Sequence, residues 1–101
     1  MARHTEAIER VAEAILATPG DADLELRRAV EAVAAGRGAD LPDDLLPYVE
    51  KVARNAYKVT DGDIERLCEA GYSEDAIFEL TLAAALGAAR ARLDAGLRAM
   101  E

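Results

Sequence analysis

Between Ser73 and Ala99 the chain runs without a proline, and from Ala76 to Ala89 nearly every position is apolar or small. A run of that length is too long for a strand and reads as a helix. A helix that is apolar on nearly every side is surrounded by protein. Small residues stand four apart at Ala83 and Gly87, Ala84 and Ala88, and Ala91 and Ala95. Such rows let a second helix approach closely. The segment is therefore expected to form a long C-terminal apolar helix, either at the centre of the domain or at the seam of a dimer or larger ring. Its ends are marked. Ser73 is placed as N-cap, Tyr72 and Ile77 can staple the first turn, and Glu74, Asp75 and Glu79 sit where the helix dipole favours negative charge. Arg90, Arg92 and Arg98 gather toward the other end, which is expected near Ala99.

Four further helical segments and no strand can be read upstream. Ile8, Val11, Ala12 and Ile15 share one face of a helix over about Glu6–Ala17, with Thr5 as cap and Pro19-Gly20 as terminator. Leu26, Ala29, Val30 and Val33 repeat that spacing over about Ala22–Ala35, and Gly36 is placed to take the left-handed position that ends the helix. A third segment, Asp43 to about Tyr57, carries Leu45, Val49, Val52, Ala53 and Ala56 on its apolar face. Pro47 removes a backbone donor there, so a short turn up to Leu46 and a cleaner helix from Pro47 are expected. Thr60-Asp61-Gly62-Asp63 resembles a capping box, with Asp in place of the usual Glu. Val59 and Ile64 can staple this fourth helix, which ends at Gly71. The expectation is an all-α fold of about five helices, one domain over residues 1–101.

Composition bounds what such a bundle can do. Aromatic residues make up 4% of the chain, so Leu, Ile, Val and Ala must build the core. Ala-rich contacts bury little area each, which favours a homo-oligomer over a marginal monomer. The formal charge of -8 disfavours nucleic acid and anionic membrane surfaces as partners. One cysteine, Cys68, forms no intramolecular disulfide, and no stretch is long and apolar enough to span a bilayer. No apolar signal core stands at the start, so a cytoplasmic protein is expected.

The stretch from Leu67 to Gly87, with its Ala70-Gly71 helix end, its Ser73-Glu74-Asp75 cap and its Glu79-Leu80 apolar run, resembles the carboxymuconolactone decarboxylase and alkylhydroperoxidase-D-like superfamily. The resemblance covers roughly residues 41–99. It implies a helical, oligomer-forming scaffold. Peroxidase members of the family carry a Cys-x-x-Cys pair followed by a His on the helix before that Ala-Gly. The thiolate attacks, the second thiol resolves, and the His relays a proton. Counted back from Gly71, those three positions fall near Ala56, Val59 and Asp63. Residues 54–63 contain neither Cys nor His. Thiol peroxidase chemistry by a cysteine pair is therefore excluded. No His stands outside the N-terminal segment to move a proton for a decarboxylase.

The remaining candidates are few. Arg54, Tyr57, Lys58 and Asp63, with Asn55, surround the place where the family has its active site. Arg54 or Lys58 could hold a carboxylate, and Tyr57 could donate a hydrogen bond. The plainer reading is a solvated helix end, with its basic residues favoured by the dipole. Asp61 and Asp63 are a pair of acids that capping also explains. Cys68 is the redox candidate. Its placement with Ile64 and Leu67, among Glu65, Glu69 and Glu74, reads as a small buried apolar residue. His4 has no second His to share a metal, and neither a metal site nor a cofactor is expected. Two functions follow. One is a non-catalytic helical protein acting through self-association or protein binding. The other is a small-molecule binder or enzyme that uses a remodelled cleft around Arg54, Tyr57, Lys58 and Asp63, or a redox protein that uses Cys68.

Overall fold

A computed structural model describes residues 2–101, with side chains from Glu6 onward. The described residues are helical with no strand: α1 Ala2–Ala17, α2 Leu24–Ala34, α3 Leu46–Asn55, α4 Asp61–Glu69 and α5 Glu74–Ala99, with one 3-10 turn over Ala56–Lys58 between α3 and α4. The side chains of His4 and Thr5 lie outside the described residues. α1 opens at Ala2, three positions ahead of Thr5, so Thr5 stands inside the helix rather than at its cap.

The caps explain most of the boundaries. Asp23 caps α2 by accepting the Glu25 N–H, which moves the start two residues past the expected Ala22. Gly36 follows α2 at a φ of 82°, a left-handed value that costs glycine least. α3 opens at Leu46 with Pro47 in its first turn, where the missing N–H has no helical partner in any case. Its last turn tightens into the 3-10 segment, so regular helix stops at Asn55 rather than Tyr57. Thr60 and Asp63 form the capping box of α4, each side chain bonding the other's backbone. Ser73 accepts the Ala76 N–H to open α5.

α5 is the spine. Its Ile77, Leu80, Ala83 and Ala84 join Val30 of α2, Leu45, Val49 and Val52 at and in α3, and Leu67 of α4 in one buried cluster. α2 lies closest. Ala34 Cβ and the Glu31 carbonyl stand where a Cβ on Gly87 would go. One face of α5 does not join the core. Phe78, Leu82, Ala85, Ala89 and Leu93 are exposed, with Phe78 at 64%. The helix is thus not enclosed all round by its own chain.

Two charged side chains lock the connection between α1 and α2. Arg27 is buried and donates to three carbonyls, Ile15 (2.8 Å), Thr18 (2.6 Å) and Ala22 (3.2 Å). The Ile15 and Thr18 carbonyls are acceptors that the end of α1 leaves open, and the Ala22 carbonyl lies in the loop before α2. From the other side, the Glu79 carboxylate accepts the backbone N–H groups of Asp21 (3.0 Å) and Ala22 (2.7 Å). Those bonds, the Ala22 one foremost, hold Glu79 below the usual carboxylate range against the opposing cost of burial. Arg90 links three helices, reaching Glu9 of α1 at 3.1 Å and Glu31 of α2 at 3.9 Å.

Candidate functional site

Asp63 is the most heavily used polar side chain between α3 and α4. It is buried, yet it carries a charge that three groups hold. Its Oδ2 accepts the Thr60 N–H at 2.9 Å, which closes the capping box. Lys51 Nζ, on α3, lies 3.0 Å from both carboxylate oxygens. Arg66, one turn along α4, bonds Oδ1. The Thr60 backbone bond and then Lys51 draw the Asp63 pKa down from 3.8 to about 2, although burial pulls the other way. A carboxylate with so low a pKa is a weak base and holds no proton to give near neutral pH. Asp63 fixes α4 to α3 and sets the position of Lys51.

A cleft of about 340 Å³ opens beside this cluster, lined by Asp43, Asp44, Tyr48, Lys51, Asp63 and Arg66 among others. The Tyr48 and Thr81 hydroxyls meet at 2.7 Å, and Thr81 donates to the Ile77 carbonyl. Tyr48 therefore tethers α3 to α5. On the rim, Tyr72 donates to Asp44 at 3.0 Å. Burial, and then that carboxylate, push the Tyr72 hydroxyl above its usual pKa of 10.0. Both cations of this cleft, Lys51 and Arg66, are drawn to Asp63.

The four residues singled out in the sequence divide between two places. Arg54 and Lys58 line a shallow groove of about 410 Å³ with Lys51 and Glu50, on the outer side of α3. Asp63 lies on the other side of Lys51, in the cleft just described. Tyr57 lines neither. It is 82% exposed on the 3-10 turn, with Lys58 Nζ 5.9 Å from the centre of its ring. Among the described residues Arg54 reaches only Glu50, at 3.9 Å.

Cys68 is exposed, contrary to the burial expected for it. The buried positions of α4 are Asp63 and Leu67, with Ile64 partly covered. The next residue after Leu67 turns about 100° round the helix, off that arc and into solvent. Among the described residues no group of three or more His, Cys, Asp or Glu side chains is placed to hold a metal.

A third concavity is apolar. α1 and α5 leave a groove of about 370 Å³ between Ile8 and Val11 on one side and Leu86, Ala89 and Leu93 on the other, with Arg90 at its edge. Val11 is 53% exposed, and the groove opens directly onto the uncovered face of α5. Periodicity placed Val11 on an apolar helix face, and composition made α5 apolar on nearly every side, but neither could tell which faces the chain's own core would cover.

Compared with family models, curated proteins and solved structures, the chain matches none of them. Among the described residues, no helix is long and apolar enough to cross a membrane.

Proposed function

We infer that this protein is a non-catalytic helical module that acts through self-association or protein binding, on a scaffold like that of the carboxymuconolactone decarboxylase and alkylhydroperoxidase-D-like proteins but without their redox pair. The observation that carries this reading is the uncovered face of α5. Phe78, Leu82 and Leu93 are exposed there, next to the α1/α5 groove. A contiguous apolar surface of that kind on a small domain marks a place where protein binds. The family likeness is supported by features of the chain itself. The helix end at Gly71, the Ser73 cap and the apolar run of the final helix follow in the order on which the resemblance rests. A cytoplasmic location goes with the reading, because a lone exposed thiol stays reduced there. The test is solution mass by light scattering across a range of concentrations. A mass above the 10.8 kDa of one chain supports self-association. A monomer at every concentration removes it.

A second reading has one observation in its favour. In a chain with a formal charge of -8, the outer groove of α3 gathers Lys51, Arg54 and Lys58 against a single acid, Glu50. Such a groove suits a small carboxylate or phosphate ligand. Titration calorimetry with citrate and with inorganic phosphate tests it. Binding that Arg54→Ala and Lys58→Ala abolish would favour this reading, and silence with both anions would remove it.

A further inference from the structure

We propose that a second copy of this chain covers the exposed face of α5, in an antiparallel arrangement in which Phe78 of each copy sits in the α1/α5 groove of the other. This rests on the self-association reading above and adds the partner, its direction and its register. Phe78, Leu82, Ala85, Ala89 and Leu93 follow one another at intervals of three or four, so they form one line along the helix. The line is about 22 Å long at 1.5 Å per residue. It has a bulky aromatic near one end, a groove beside the other end, and alanines between. A knob and a hole on the same surface, at opposite ends, complement each other when the surface meets its own two-fold image.

Charge fixes the direction. Glu74 and Asp75 stand exposed at the start of α5, beside Phe78, and toward its other end Arg90 edges the groove while Arg92 stands exposed on the flank that meets α3. Parallel pairing would set acid against acid and base against base. Antiparallel pairing sets each acidic end against a basic one, and it opposes the two helix dipoles as well. A single register satisfies the whole face. With Phe78 level with Ala89 of the second copy, Leu82 falls level with Ala85, and Glu74, five full turns from Arg92 and so on the same flank of the helix, falls against Arg92. The two-fold axis then passes midway between residues 83 and 84, level with Leu82 and Ala85 on the exposed face. Arg92 is already steadied by a bond to the Ala53 carbonyl at 2.9 Å, which leaves its other donors free to turn outward.

The experiment uses the full, tag-free chain. Light scattering is expected to give twice the single-chain mass. Phe78→Ala should keep its helical circular dichroism and weaken the dimer by about tenfold or more, because burial of two phenyl rings, one from each copy, is lost. Glu74→Arg and Arg92→Glu should each weaken the dimer, and their combination should restore it. In a Cys68→Ser background, Ala85→Cys should cross-link under mild oxidation to Leu82→Cys when the two are mixed. Phe78→Cys should not cross-link to itself, but it should cross-link to Ala89→Cys when the two are mixed. A dimer in which Phe78→Cys and Leu93→Cys each cross-link to themselves would overturn the antiparallel arrangement. A dimer that Phe78→Ala leaves unchanged would overturn the use of this face. Both outcomes leave self-association standing, whereas a monomer at every concentration removes self-association and this arrangement together.

Discussion

Gly87 of α5 lies so close to the backbone carbonyl of Glu31 in α2 that no side chain fits between them. In an exposed helix, Gly→Ala gains about 1 kcal/mol from reduced backbone freedom. Here the atom in the way is backbone, which cannot swing aside as a side chain would. Forcing a methyl into a packed contact costs roughly 1–3 kcal/mol. Gly87→Ala is therefore expected to destabilise the fold despite the gain in helix propensity. The check is the midpoint of urea unfolding, and a midpoint higher than wild type would show that α2 and α5 are less tightly crossed.

Arg27 offers a sharper case, because one side chain serves three carbonyls. Removing it leaves buried acceptors without donors, at about 1–3 kcal/mol each where water cannot reach them. Arg27→Ala should lose on the order of 3 kcal/mol. Arg27→Lys keeps the charge but not the planar fork, so it should recover only part. If both variants unfolded at the wild-type denaturant concentration, the lock on the α1–α2 connection would be refuted.

Acid should weaken the protein in a definite window. Asp63 has a folded pKa of about 2 against an ordinary value of 3.8. A group whose pKa is lowered by folding contributes stability above its unfolded pKa and loses it as pH falls toward the folded one. Glu79 is shifted in the same direction, so its contribution also fades as pH falls. Unfolding midpoints should hold above about pH 5 and decline between pH 4 and 2. Asp63→Asn should be less stable at neutral pH and show a shallower decline. An unchanged slope in that variant would mean that the Lys51 and Arg66 contacts contribute nothing.

These contacts mark how far the sequence alone could be read. Thr60 and Asp63 are three apart, and a local rule joins them, so the capping box was legible. Ser73 and Gly71 were legible for the same reason. Lys51 and Asp63 are twelve apart, and Asp21 and Glu79 fifty-eight, and nothing in their spacing announces that they meet. Helical periodicity placed Cys68 with its apolar neighbours, yet the arc that α4 buries is too narrow to include it. The same limit applies to α5. Its composition called for cover on every side, but only packing could show that Phe78 and Leu82 are left outside. The four residues proposed around the family's site were neighbours in sequence, and the 3-10 turn at Ala56–Lys58 separates Tyr57 from Asp63 in space.

Cys68 should react with a thiol reagent in the folded protein at nearly the rate seen in the unfolded chain, because it is exposed. Cys68→Ser should then leave the unfolding midpoint within about 0.5 kcal/mol of wild type, as surface substitutions do. Native labelling slowed a hundredfold relative to the unfolded chain would show that the thiol is covered, whether by its own chain or by a partner.

Thermal unfolding should depend on protein concentration. An assembly that binds the folded form and not the unfolded one stabilises it by mass action, about 1.4 kcal/mol for each tenfold rise in concentration. Phe78 is 64% exposed on the single chain, so trimming it to alanine removes little from the chain's own core. Phe78→Ala should therefore lose the concentration dependence of Tm while keeping the value that wild type approaches at high dilution. Leu80→Ala, which cuts a fully buried side chain, should instead lower Tm at every concentration, through a cavity costing about 2–5 kcal/mol. Differential scanning calorimetry over a hundredfold range of concentration separates the two effects. If wild-type Tm did not move with concentration, no association of folded chains would be contributing to stability, and the open face of α5 would have to be meant for some other protein.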